Sequence, residues 1–243
     1  MVTNLKTLAL GLTLVLSASS FASKDDVRHN TIARMEVAEV SRGYLGESQI
    51  DILYYKQLAS GLTNQRGQVD PTERAGKVIS VARDLVALGE DIYKLVIKGK
   101  PTNQTSYAPI SIIPRVSGEA VDILDTERWS MPVKRTYQVI YRNLYDVAVV
   151  TFRYSVIYSS HGQYNGKGAY LTAVQIIPES VRTLFGFDFT ATMKLGGIQN
   201  QGTRENPIAA ATLLMEYTVS SVMNAHNQVD SFFVTGKGGF KKL

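Results

Sequence analysis

The amino-acid sequence predicts an α+β fold, in which an antiparallel β-sandwich of about eight strands carries an N-terminal helical subdomain packed on it. Residues 24–100 place apolar side chains mostly at helical spacing, whereas residues 105–243 alternate apolar and polar side chains with a period of two. No low-complexity linker separates the two parts. We therefore expect one domain, with the helical subdomain over residues 23–104 and the β-sandwich over residues 105–243.

The first 22 residues have the composition of a secretory signal peptide. Lys6 precedes the apolar run 8–16, and small residues follow up to the sequence Ser20-Phe21-Ala22, which resembles a cleavage site. The apolar run is far shorter than the ~20 residues that a membrane-spanning helix needs. We expect cleavage after Ala22 and export to the periplasm or the cell exterior.

The overall composition restricts the classes of partner and chemistry. The chain of 243 residues has a net charge of +5, and no run of five Lys or Arg residues occurs, so a nucleic-acid partner is not expected. The absence of cysteine excludes disulfides, thiol nucleophiles and zinc-thiolate sites. An exported chain without disulfides favours a bacterial envelope protein that is held together by its core alone.

The strongest helix signal in the N-terminal third covers residues 71–98. Asp70 suits the N-cap position, Pro71 suits the first helical position, and Glu73 completes a capping box. Apolar residues fill roughly 200° of the helical wheel, which favours docking on the sheet. A second helix is predicted over residues 47–60, and residues 27–40 fit either a helix or a strand.

The helix over residues 71–98 also permits a membrane-active interpretation. Its apolar face includes Leu85, Leu88, Ile92 and Val96, which would then face lipid. However, its polar face mixes both signs of charge and its apolar face lacks Trp and Phe, unlike most interfacial helices. Packing against the core is therefore the favoured prediction for this helix.

The C-terminal part shows the alternation of half-buried strands. In the clearest segment Phe185, Phe187, Phe189, Ala191 and Met193 are expected to face the core, with polar residues between most of them. The predicted strands cover residues 107–114, 119–124, 134–143, 147–158, 169–177, 182–193, 213–221 and 230–236.

Two polar loops of the sandwich are the candidate binding surface, because tyrosine and amide side chains on loops suit the recognition of glycans, headgroups or proteins. Loop 158–170 is predicted to be long and Gly-rich, and loop 196–207 forms one site with it if both lie at the same end. The candidate ligand-binding residues are Tyr158, His161, Tyr164, Asn165, Lys167, Tyr170, Asn200, Arg204 and Glu205.

No motif in the sequence points to catalysis. The three histidines are far apart and lack metal-binding spacing, and neither a serine-nucleophile elbow nor a phosphate-binding loop is present. Asp188 and Glu216 would form a glycosidase-like carboxylate pair only if their strands were neighbours. We expect no catalytic residues, no metal and no cofactor.

The favoured functional prediction is an exported, non-enzymatic envelope or secreted protein. It would bind an unknown protein partner, a glycan or a surface through loops of the β-sandwich, without binding lipid, and a membrane surface is a possible partner only under the alternatives that follow. The first alternative is a membrane-active or pore-forming protein that uses the amphipathic helix 71–98. The second alternative is an outer-membrane β-barrel, for which about eight strands suffice.

Overall fold

The computed structural model of the chain describes residues 23–44, 78–89, 92–98, 100–101 and 109–243. These residues form one α-helix, one 3-10 helix (Ile123–Asp125) and fourteen strands. The elements are α1 (Lys24–Asn30), β1 (Ile32–Tyr44), β2 (Val78–Ala82), β3 (Leu85–Leu88), β4 (Ile92–Lys98), β5 (Lys100–Pro101), β6 (Ile110–Val116), β7 (Glu119–Ala120), β8 (Val133–Asn143), β9 (Ala148–Tyr164), β10 (Lys167–Thr183), β11 (Phe187–Asn200), β12 (Ala209–Ser221), β13 (Ala225–Thr235) and β14 (Phe240–Lys242).

The described strands form two antiparallel sheets that pack face to face. The first sheet has the order β1-β8-β9-β10-β6-β3-β2, with β7 paired to β6, and the second has the order β14-β13-β12-β11-β4-β5. The ring centroids of Phe152 in the first sheet and Phe189 in the second are 4.8 Å apart. The prediction of a β-rich, sandwich-like fold is therefore confirmed.

The alternation that predicted the strands also identifies the core. On β8 and β12 the residues expected to face inward are buried, while their neighbours are half-buried or hydrogen-bonded on the outer faces. The buried side chains on these two strands are Tyr137, Val139, Tyr141, Leu213, Met215, Tyr217 and Val219. Because only one face of each strand is buried, apolar and polar residues alternate along it, and the sequence shows this alternation.

The predicted helix over residues 71–98 is wrong from residue 78 onward, where the chain forms β2, β3 and β4. The apolar residues lie in strands of only four to seven residues that are rich in β-branched side chains. Short apolar strands of this kind resemble a helix in sequence, because no regular polar alternation marks them. Residues 71–77 and the predicted helix 47–60 lie outside the described residues.

The strands that replace the helix also correct the predicted lipid-facing residues. Leu85 has a side chain that is 0% exposed, and its partner on β6 is Pro114. Leu88 and Val96 are half-buried, and Ile92 opens β4. Strands of the predicted helical subdomain thus belong to both sheets, and the described residues contain no separate helical subdomain.

The chain between residues 23 and 44 combines a short helix with a long strand. Ser23 caps α1, because its hydroxyl group accepts from the Asp26 amide at 3.0 Å while the Asp26 carboxylate accepts from the Ser23 amide at 3.2 Å. β1 then follows and pairs with β8 along nearly its whole length. The segment 27–40, which fitted either state, therefore contains both.

The antiparallel connections place the turns at two opposite ends of the molecule. We call the first the α1 end, which consists of α1 and the turns 144–147, 184–186 and 222–224. We call the second the distal end, which consists of the turns 165–166, 201–208 and 236–239.

Candidate functional site

The predicted long loop 158–170 is instead a tight hairpin at the distal end. β9 continues to Tyr164 and β10 begins at Lys167, so only Asn165 and Gly166 lie between them. Their φ angles of 51° and 69° fit the type I′ turn that an Asn-Gly pair favours. The Asn-Gly pair was a readable hairpin signal, and the prediction of a long loop is wrong.

This hairpin leaves only part of the predicted site on the surface. Tyr158 and Tyr170 are buried, so their predicted role in surface recognition is wrong. Tyr164 is partly buried and packs against the core. His161, Asn165 and Lys167 are exposed, as the binding hypothesis requires.

The second predicted loop lies beside this hairpin. The Gly168 amide donates to Asn206 Oδ1 at 2.7 Å, so the structure brings the two loops to the same end. Asn200 is engaged in the loop itself, because its Oδ1 accepts from the amides of Gly202 and Ile208 at 2.8 and 2.9 Å. The distal end is therefore ordered largely by its own amide side chains.

The charged candidates of the second loop remain at the surface. Arg204 and Glu205 are exposed, and Arg204 Nε lies 3.9 Å from Asp84 Oδ1. Together with the exposed residues of the hairpin they form a mixed-charge surface. Their role in ligand binding stays a prediction.

The carboxylates proposed as a pair do not meet. β11 and β12 are neighbours, but Asp188 is opposite Ser220, whereas Glu216 is opposite Thr192. Four residues along a strand separate the two acids by roughly 13 Å, which exceeds the separation that glycosidases use. Among the described residues, no group of three or more His, Asp or Glu side chains is placed to hold a metal ion.

A buried carboxylate between the sheets was not predicted from the sequence. Asp230 on β13 is only 4% exposed. Its Oδ2 accepts from the hydroxyl groups of Tyr154 at 2.6 Å and Tyr217 at 2.9 Å, and its Oδ1 lies 2.9 Å from Lys242 Nζ. The signal in the sequence was the spacing of two residues between Asp230 and Phe232. Residues at this spacing on a strand share one face, so Asp230 lies on the inner face with Phe232.

The α1 end exposes large apolar side chains on each of its three turns. Phe185 in turn 184–186 is 98% exposed, and Val222 in turn 222–224 is 80% exposed. The other exposed apolar residues at this end are Val27, Leu144, Tyr145, Val147, Leu184 and Met223. The alternation placed Phe185 in the core, which is wrong, because β10 has ended and Gly186 turns the chain at a φ of 88°.

Hydrogen bonds of side-chain amide groups fix the positions of these turns. Asn143 Oδ1 accepts from the amides of Tyr145 and Val147 at 3.0 Å each, and its Nδ2 donates to the His29 carbonyl group of α1 at 3.0 Å. Asn224 makes both backbone hydrogen bonds of Ile32, at 3.0 and 2.9 Å. α1 is thereby fastened to turn 144–147 and the start of β1 to turn 222–224, so the apolar side chains project from a fixed arrangement.

Comparison with known proteins adds no function to this geometry. Neither a family model, a curated protein nor a solved structure matches the chain. Among the described residues, α1 is a helix of seven residues, and no helix combines the length and hydropathy that a membrane span requires.

Proposed function

We propose that this chain is an exported, non-enzymatic protein that attaches reversibly to a lipid membrane surface through the apolar turns of its α1 end. The export part of the proposal rests on the composition of residues 1–22. The non-enzymatic part rests on the sequence, in which no catalytic motif occurs. The membrane part rests on the surface of the α1 end.

The observation that carries the proposal is the near-complete exposure of Phe185 and Val222 on neighbouring turns. Grouped exposed apolar side chains on a globular protein mark an interaction site. These side chains belong to separate turns at one end of the molecule. Projecting apolar turns suit insertion among lipid headgroups, whereas a protein interface requires a packed and complementary surface.

The charges of α1 are compatible with a lipid surface. Lys24 and Arg28 are exposed, and neither forms an ion pair with a carboxylate of the described residues. The acidic residues of the same helix are already engaged, Asp25 with the Tyr145 hydroxyl group at 2.6 Å and Asp26 with the N-cap. Within the described residues, the positive charges of Lys24 and Arg28 are therefore not neutralised by an ion pair, and they lie at the end that would meet phosphate groups.

The expected strength of attachment follows from the apolar surface. Burying a Phe or Val side chain stabilises by about 1.5–3 kcal/mol, so Phe185 and Val222 together contribute roughly 3–6 kcal/mol. A single acyl chain gives marginal and reversible binding of a similar order. We therefore expect an equilibrium between free and bound protein.

Flotation on phosphatidylcholine vesicles tests the proposal. The Phe185→Ser/Val222→Ser double variant should lose at least tenfold in partitioning, because its side chains no longer gain from leaving water. Leu124→Ser is the matched control, since Leu124 is 85% exposed but lies in the 3-10 helix near the distal end. Wild-type protein that does not float, or a double variant that floats as well as wild type, would contradict the proposal.

A further inference from the structure

A polar groove of about 360 Å³ lies on the outer face of the first sheet. It is lined by Gln138 of β8, Thr151 and Arg153 of β9, and Ser180 and Arg182 of β10. Arg153 is opposite Ser180 and Arg182 is opposite Thr151 in the register of β9 and β10. The two arginines are therefore diagonal neighbours on one face, with Cβ atoms about 7–8 Å apart.

Both guanidinium groups are available to an anion. Arg153 Nε donates to Gln138 Oε1 at 2.7 Å, which fixes the group and leaves its terminal N–H groups free to donate. The Arg182 guanidinium has no hydrogen bond or ion pair in the part of the chain that the structure describes. The groove thus combines two positive charges with the hydroxyl groups of Thr151 and Ser180.

One acidic side chain, Glu179, interacts electrostatically with Arg153 but is shared with Lys134. Glu179 Oε1 lies 2.6 Å from Lys134 Nζ and accepts from the Ser155 hydroxyl group at 2.6 Å. Partial burial acts to raise the pKa of Glu179, but these two partners and the charge of Arg153 lower it overall. The single negative charge of Glu179 is therefore shared between Lys134 and Arg153, and the groove keeps an excess of positive charge.

The groove opens close to the proposed membrane-facing turns. Arg182 is three residues before Phe185, which corresponds to roughly 10 Å along a strand. The headgroup region of a bilayer is roughly 5–8 Å thick on each side of the hydrocarbon core. Because β10 ends at Thr183 and the chain then turns, the actual separation is smaller than the extended-strand value. With Phe185 at the boundary between headgroups and hydrocarbon, the long Arg182 side chain can extend to the outer part of the headgroup region.

We propose that the groove binds the phosphate group of an anionic glycerophospholipid headgroup while the α1 end is docked on the membrane. This inference rests on the proposed function. Arginine forks bind phosphate oxygens through two parallel hydrogen bonds, and the hydroxyl and amide groups of the lining supply further donors. The site adds a headgroup preference to attachment by the apolar turns.

The test compares vesicles of phosphatidylcholine with and without phosphatidylglycerol. Phosphatidylglycerol should raise wild-type binding by roughly fivefold for each arginine, about 25-fold for the pair. The Arg153→Gln/Arg182→Gln double variant should lose this roughly 25-fold contribution of the pair, keep the smaller gain from Lys24 and Arg28, and still bind phosphatidylcholine vesicles. Lys167→Gln/Arg204→Gln removes the same two positive charges at the distal end, beyond the screening length, and should keep the gain.

A second pair of variants separates a phosphate site from general surface charge. Arg182→Lys keeps the charge but loses the planar fork, so it should lose much of the gain. Arg28→Lys, at the same end but outside the groove, should behave as wild type. If Arg182→Lys and Arg28→Lys gained equally from phosphatidylglycerol, the binding would not depend on a specific groove, and the proposal would be contradicted.

The outcomes distinguish this inference from the proposed function. Wild-type protein that binds neither vesicle overturns both, whereas binding that phosphatidylglycerol does not strengthen overturns the groove alone. In a third experiment, inorganic phosphate is added to the protein in the absence of lipid, and the arginine Nε–H signals are followed by NMR. Millimolar binding is expected, and saturation at micromolar phosphate would assign the groove to a soluble anion and overturn the lipid assignment.

Discussion

At the scale of single residues, Asp230 joins the two sheets of the molecule. Tyr154 comes from the first sheet, while Tyr217 and Lys242 come from the second, and all three meet one carboxylate group. Removing the carboxylate leaves two buried hydroxyl groups and an ammonium group without their partner. A buried polar or charged group that has lost its partner reduces the free energy of unfolding by far more than the pair contributes to it.

We predict that Asp230→Ala lowers the free energy of unfolding by about 3–5 kcal/mol, the usual cost of breaking a buried ion pair. Urea unfolding followed by circular dichroism measures this loss. The control Glu205→Ala removes an exposed carboxylate and should change the value by less than about 0.5 kcal/mol. Equal midpoints for the two variants would show that Asp230 does not fasten the sheets.

The tyrosines of this region predict a loss of stability at high pH. Burial and then the charge of Glu39 raise the pKa of Tyr137 to about 12. Burial and then the charge of Asp230 raise the pKa values of Tyr141, Tyr154 and Tyr217 well above the usual range. Since the unfolded chain ionises first, the stabilising contribution of each group is complete below about pH 10 and is lost above it.

The free energy of unfolding should therefore fall above pH 10 by up to about 1.4 kcal/mol per pH unit for each of these tyrosines. Urea titrations at increasing pH, with tyrosinate absorbance recorded in parallel, test this slope. The buried tyrosines should ionise only as the protein unfolds. Complete ionisation near pH 10 in a protein that remains folded would contradict the prediction.

At the scale of elements, the Asn165-Gly166 turn fixes the register of β9 and β10. The φ of 69° at Gly166 is in the left-handed region that residues with a Cβ atom occupy at a cost. A Cβ atom there would meet no heavy atom within 4 Å, so conformational strain is the sole expected penalty. Gly43 in β1 is equally open and has no positive φ.

We predict that Gly166→Val lowers the free energy of unfolding by about 1–2 kcal/mol, the cost of a left-handed conformation. Gly43→Val should be neutral or stabilising, because a β-branched residue suits a strand. Chemical denaturation of both variants provides the measurement. If the two variants lose equal stability, side-chain bulk rather than backbone conformation is responsible.

The strands that could be predicted differ physically from those that could not. β8, β11 and β12 have one buried face, so their alternation is visible in the sequence. β3 is buried along almost its whole length, and apolar residues of that kind fit a helix equally well. The interruption at Arg83-Asp84 and the β-branched residues were the evidence for strands, but local sequence alone did not favour them strongly.

At the scale of the whole molecule, the candidate site depends on topology that sequence patterns do not encode. β4 pairs with β11 and β3 pairs with β6, and such long-range pairing is decided by tertiary packing. The same topology brings the turns that carry Phe185 and Val222 to one end beside α1. The predicted loops do meet at the distal end, but their tyrosines and amides are largely engaged within the fold.

The central claim is that the α1 end enters a lipid surface, and the absence of cysteine permits a direct measurement. An environment-sensitive fluorophore is attached to Phe185→Cys or, as a control, to Leu124→Cys, and phosphatidylcholine vesicles are added. The emission at position 185 should shift to the blue and be quenched by spin-labelled lipid, while the emission at position 124 stays unchanged. Bound protein in which the fluorophore at position 185 still reports water, or in which both positions respond alike, would contradict the claim.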